Sequence, residues 1–194
     1  MISNRDAVLA AAATYGGGKP DFSGYGGAVN VFLSQIGDTL AVSTEGTHSE
    51  FGWVLDFDGW PAAAKETVPH PTLPPVHKGF RDATFSVIGG VRAAVKGKKW
   101  CAIGHSLGGS IALDMSGLLA DEGNPPEAIF LFAPARVFLD APDVLAGVPI
   151  IGWRCGGDLV PMVPSWDWRP ILTHFPGPAG EAAHGIQNFL DFIK

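Results

Sequence analysis

The sequence predicts an α/β fold, a mostly parallel sheet with helices on both faces. Three observations point there. Apolar strand-like runs alternate with helical patterns through the second half of the chain. The runs Trp100–Ile103 and Ala128–Phe132 are almost wholly apolar, as strands covered on both faces are. Glycine-rich or proline-containing breaks follow the strand-like runs, at Gly104, Ala133-Pro134 and Gly156-Gly157.

In chain order, Asn4-Arg5-Asp6 reads as the polar start of a helix that ends at Gly16-Gly17-Gly18. Ala28–Ile36 and Leu40–Thr44 read as strands around a turn at Gly37-Asp38. Residues 47–60 are irregular and aromatic, and 61–76 hold five prolines and read as loop. Phe80–Val95 reads as one helix, with Phe80, Ala83, Val87, Val91 and Val95 towards one face. Ser110–Leu119 reads as a helix after the Trp100–Ile103 strand. Val148–Trp153 and Ile171–Phe175 read as further strands, and Ala182–Ile193 as a closing helix.

Composition bounds the function. At 194 residues, 46% hydrophobic and 16% charged, the chain fits one compact domain spanning 1–194. Its net charge of −6 has no clustered basic patch, so nucleic-acid binding has no electrostatic footprint. No apolar run approaches the ~20 residues of a membrane span. Asp6 interrupts the basic start and Ala7–Ala13 is short, so a signal peptide is not expected. The expected location is cytoplasmic, or outside the cell by a non-classical route. Cys101 and Cys155 give no disulfide framework, and strands two positions apart hold them too far apart to pair. No His/Cys/Asp spacing suggests a metal site, and no cofactor is expected.

Gly104-His105-Ser106-Leu107-Gly108 carries the chemistry. It is G-x-S-x-G between a strand and a helix, the nucleophile-elbow pattern of α/β-hydrolases. The competing reading is a chance match in a chain with 26 glycines. In that fold the triad follows in the order Ser, Asp or Glu, His. The histidines after Ser106 are His174 and His184. His184 is favoured, because it follows the last strand whereas His174 lies inside an apolar run. Of the intervening acids, Asp158 is favoured at a sharp loop after two glycines, with Asp167 the runner-up. Asp158 also reads as a turn-forming residue. An oxyanion hole needs two donors. Leu107 N–H is one, and the loop after Leu40–Thr44, with Gly46 and Thr47, is placed to give the other. That loop also reads as a plain β-turn.

Taken together, these stretches resemble the class 3 lipases, the fungal triacylglycerol lipase group and its bacterial relatives. Ala11-Ala12-Ala13-Thr14-Tyr15 is similar to the family's N-terminal helix, and Thr44-Glu45-Gly46-Thr47 stands where the family has Phe-Arg-Gly-Thr. Val76-His77-Lys78-Gly79-Phe80, Gly104–Gly109, Phe132-Ala133-Pro134-Ala135-Arg136-Val137 and Asp158-Leu159-Val160-Pro161 resemble further family motifs. The resemblance implies an α/β-hydrolase fold, a Ser106–Asp158–His184 triad, and Thr47 and Leu107 at the oxyanion hole. It implies structural roles for His77 and His174. It also implies a short lid around 48–57, with Phe51, Trp53 and Val54 facing acyl chains, and an ester or lipid substrate met at a transient lipid interface. Glu45 replaces the family's arginine, and the chain is short for the family, which favours short to medium acyl chains. Two other functions compete: hydrolysis of a non-lipid ester or thioester, with Trp153, Trp166 and Trp168 lining its pocket, and a non-catalytic binding role.

Overall fold

The computed structural model describes residues 2–46, 67–163 and 168–194. The N-terminal helix α1 (Asn4–Ala13) starts at Ser3 with a capping box. Ser3 Oγ accepts from Asp6 N–H at 3.1 Å, and the Asp6 carboxylate accepts from Ser3 N–H at 3.3 Å. Strands β1 (Phe22–Gly24), β2 (Val29–Ile36) and β3 (Thr39–Thr44) follow as an antiparallel ribbon turning at Gly37. From β3 the sheet continues in parallel through β6 (Trp100–His105), β7 (Ile129–Phe132), β8 (Ile150–Gly157) and β9 (Leu172–Ala179). The seven-stranded order is β1-β2-β3-β6-β7-β8-β9. A two-stranded ladder, β4 (Thr67–Val68) with β5 (Val76–His77), lies in the proline-rich stretch expected to be loop.

Strand alternation builds two cores. Trp100, Ala102, Ile129 and Leu131 point into one, under helices α2 (Lys78–Phe85), α3 (Ile88–Val95) and α4 (Leu107–Asp121). Cys101, Ile103, Phe130 and Phe132 point into the other. That second face is covered by α1 and by α6 (Ile186–Phe192), the latter preceded by the single turn α5 (Glu181–His184). Arg5 Nη1 donates to the carbonyls of Leu190 and Ile193 at 2.6 and 2.8 Å, tying the start of α1 to the end of α6. Cys101 and Cys155 are buried and free. Among the described residues no helix is long and apolar enough to cross a membrane, and no cluster of His, Cys, Asp and Glu is arranged to hold a metal ion.

Two expectations need correction. The helix expected over Phe80–Val95 is two helices, because Ser86 Oγ donates back to the Ala83 carbonyl at 2.6 Å and Val87 leaves helical geometry at φ −123°. The closing helix is also broken, at Gly185, whose extended backbone (φ −60°, ψ 137°) separates α5 from α6.

Candidate active site

Ser106 sits at the junction of β6 and α4 with φ 57° and ψ −129°, outside the regions open to most L-residues. Such a backbone costs about 1–3 kcal/mol and persists only where its surroundings fix it. Three hydrogen bonds fix it here. Ser106 N–H donates to the Phe132 carbonyl at 2.9 Å, and the Ser106 carbonyl accepts from Gly109 N–H at 3.0 Å and Ser110 N–H at 3.2 Å. The flanking glycines leave room for the turn. A Cβ on Gly104 would lie 2.3 Å from the Gly108 carbonyl oxygen, and one on Gly108 would lie 2.2 Å from that of Thr44.

The turn presents Ser106 Oγ to His184, 2.7 Å from Nε2. His184 Nδ1 lies 2.9 Å from Asp158 Oδ2. An ionised carboxylate only accepts, so Nδ1 carries the proton and Nε2 offers its lone pair to the serine hydroxyl. The other Asp158 oxygen, Oδ1, accepts from Val160 N–H at 3.0 Å. The carboxylate is thus held as an Asx turn, and the turn-forming reading of Asp158 holds alongside its contact with histidine. All three side chains are buried, which strengthens each hydrogen bond relative to water.

His105 and Tyr15 form a second tier; the sequence offers His105, inside the elbow, as a support for the turn or a lining of the sheet end, and gives Tyr15 no role in the site. His105 Nε2 lies 2.7 Å from the His184 backbone carbonyl, and Tyr15 Oη lies 2.7 Å from His105 Nδ1. Burial, helped by the neighbouring His184, lowers the His105 pKa to about 3, so the ring is neutral. A carbonyl only accepts, so Nε2–H donates to it and Nδ1 accepts from the tyrosine hydroxyl. The break at Gly185 makes this contact possible. Asn188 N–H donates to the Gly185 carbonyl at 3.1 Å, and the His184 carbonyl turns to His105. The His105 and His184 rings also pack 4.9 Å apart.

The same tier meets the loop after β3. A Cβ on Gly46 would fall 2.2 Å from Tyr15 Oη, 2.7 Å from the His105 carbonyl oxygen and 3.3 Å from Ser106 Cβ. The loop therefore passes directly against the elbow. Glu45, which stands where the family has an arginine, is buried and accepts from Asn30 Nδ2 at 2.7 Å, while its N–H donates to the Asn30 carbonyl at 2.9 Å. Leu107 opens α4, so its N–H has no partner within the helix. Thr47 and the lid segment, with Phe51, Trp53 and Val54, lie outside the described residues, as do Asp167 and Trp166.

His174 is on the exposed face of β9, 2.9 Å from the Gly156 carbonyl, and does not join the site. Trp153 stacks on Phe132 with centroids 5.2 Å apart, and Trp168 meets Phe138 edge-on at 6.1 Å. Both are packing contacts in or against the cores.

The family profile described as Lipase (class 3) matches residues 41–168, more than half of the chain. The chain belongs to the class 3 lipase family. A comparison with curated proteins finds no match. Among solved structures, the triacylglyceride lipase of Rhizomucor miehei is similar at 23% identity and a TM-score of 0.56, over 74% of this chain and 58% of that one. The triacylglycerol lipase of Penicillium expansum is similar at 18% identity and a TM-score of 0.63, over 92% of this chain and 79% of that one. The lipase of Rhizopus microsporus var. chinensis is similar at 22% identity and a TM-score of 0.65, over 83% and 67%. At these identities the likeness shows the fold, the α/β-hydrolase arrangement. The chain thus spans little more than half of the Rhizomucor enzyme's length.

Proposed function

We propose that this class 3 lipase relative is a serine carboxylester hydrolase that cleaves lipid acyl esters. The observation that carries the reading is the unbroken chain of hydrogen bonds from Ser106 through His184 to Asp158, at a strained elbow. Ser106 Oγ attacks the ester carbonyl carbon as its proton moves to His184 Nε2. The oxyanion that forms accepts from Leu107 N–H and from Thr47. As the intermediate collapses, the C–O bond to the alcohol breaks, and the alcohol leaves with the proton from His184. Water then attacks the acyl-serine, giving its proton to His184, and collapse of the second intermediate returns that proton to Ser106 as the acid leaves. Asp158 holds the ring in the tautomer both steps need and stabilises its charged form.

Family membership supports a lipid ester as substrate, and one structural neighbour is described as a triacylglycerol lipase whose catalytic centre is a serine protease triad. The proposal keeps a single domain over 1–194, a lid at 48–57 with Phe51, Trp53 and Val54 against the acyl chain, transient contact with a lipid surface, and a preference for short to medium acyl groups. Purified protein assayed on p-nitrophenyl esters from acetyl to palmitoyl tests the hydrolysis and the acyl preference. The expected profile peaks at the short to medium end, and Ser106→Ala loses turnover by at least about 10³-fold while keeping its far-UV spectrum. Turnover by Ser106→Ala close to wild type would end the reading.

A further inference from the structure

Most of the arginines have conventional partners. Arg81 and Arg92 each grip a carboxylate with two nitrogens, and Arg5 and Arg136 donate to backbone carbonyls. Arg154 and Arg169 differ. Each directs Nη1 at the same thioether, Met162 Sδ, at 3.2 and 3.3 Å. A thioether is a weak acceptor and carries no charge to balance two guanidinium groups. Among the described residues neither meets a carboxylate. Arg154 Nε is buried with no partner among them. Arg154 lies directly across β8–β9 from His174, a third basic side chain. Two guanidinium groups thus converge on one uncharged atom in a chain of net charge −6.

That place is a cavity of about 390 Å³, lined by Arg154, Arg169 and His174 with Pro161, Ile171 and Leu172. Pro161, in the single 3-10 turn Val160–Met162 that follows Asp158, is part of that lining. Of the apolar lining residues, Ile171 is 92% exposed.

We propose that this cavity binds a phosphate group carried on an apolar or ester-bearing molecule. A guanidinium fork matches a pair of oxyanion oxygens. Two forks, one from β8 and one from the segment leading into β9, can hold different oxygens of a tetrahedral phosphate. A carboxylate offers only two oxygens, enough for one fork. Ile171, Leu172 and Pro161 suit the carbon chain attached to such a phosphate. The inference goes beyond ester hydrolysis and does not depend on it, because phosphate binding is measured without turnover.

Isothermal titration of the intact protein with inorganic phosphate, against chloride at matched ionic strength, tests it. The expected result is saturable binding at one site, weakened about tenfold or more by Arg154→Gln with Arg169→Gln. The Arg169 side chain is exposed, so Arg169→Gln alone keeps the fold, weakens phosphate several-fold and leaves hydrolysis of a neutral p-nitrophenyl ester unchanged. Flotation with phosphatidic acid vesicles, against phosphatidylcholine alone, separates the sources. Binding to the acidic vesicles that Arg169→Gln loses identifies a lipid headgroup. Phosphate binding without vesicle binding identifies a soluble phosphate ester. No saturable binding to wild type, or wild-type affinity in both variants, overturns the proposal.

Discussion

At the residue scale the candidate site is two tiers, the first marked in the sequence by motif and chain order and the second marked only at His105, inside the elbow. Ser106 was marked by its motif, and Asp158 and His184 by the chain order that the motif imposes. Tyr15 carries no such mark: it lies 90 residues from His105, and only the folded sheet brings them within 2.7 Å. Together they fix the His184 main chain and brace the loop at Gly46. Tyr15→Phe leaves His105 Nδ1 buried without a donor, a cost of about 1–3 kcal/mol. Neither residue touches substrate in the proposed mechanism, so both are positioning residues. The expected kinetic outcome is a fall in kcat of about tenfold for a ring displaced by a fraction of an ångström, with KM unchanged. A merely structural tyrosine would lower the melting temperature and leave kcat per folded molecule intact. Steady-state kinetics beside a thermal melt separates the two.

At the element scale α4 organises the molecule. Leu107 through Leu119 are all buried, including Asp114 near its centre. A buried carboxylate requires a partner, and Arg81 on α2 supplies one, with Nε and Nη2 at 3.1 and 3.0 Å from its two oxygens. Burial raises the Asp114 pKa while Arg81 opposes it. Arg81→Met strands the acid and is expected to cost about 3–5 kcal/mol, whereas Arg81→Met with Asp114→Leu recovers most of that loss. Urea melts of the two variants check it. The pair was invisible in sequence because the periodicity of 80–95 shows only an apolar stripe. The same stripe hid the helix break, since Ser86 ends α2 through a hydrogen bond to Ala83 and not through glycine or proline. Gly185 was visible, but its effect depends on where the His184 carbonyl must point.

At the scale of the whole molecule, the parallel sheet was legible because its strands are short apolar runs bounded by turn residues. Strand β1 was not, since Phe22–Gly24 is too short to show alternation. The neutral, buried His105 links the site to global stability. Its pKa falls from 6.5 to about 3 on folding. The unfolded chain therefore takes up a proton below pH 6.5 that the folded one refuses down to about pH 3. This residue's contribution is intact above that window, and stability falls as pH drops through it, by up to about 1.4 kcal/mol per pH unit. His105→Gln should show a shallower acid slope between those limits in denaturant melts. An unchanged slope would mean the ring already carries charge in the fold. The proposed hydrolysis depends above all on Ser106 being an activated nucleophile. Labelling with a fluorophosphonate probe tests it most directly. The expected outcome is stoichiometric modification of wild type at Ser106, strong suppression in His184→Ala, and none in Ser106→Ala. A folded wild-type protein that stays unlabelled, or one labelled elsewhere, would contradict it.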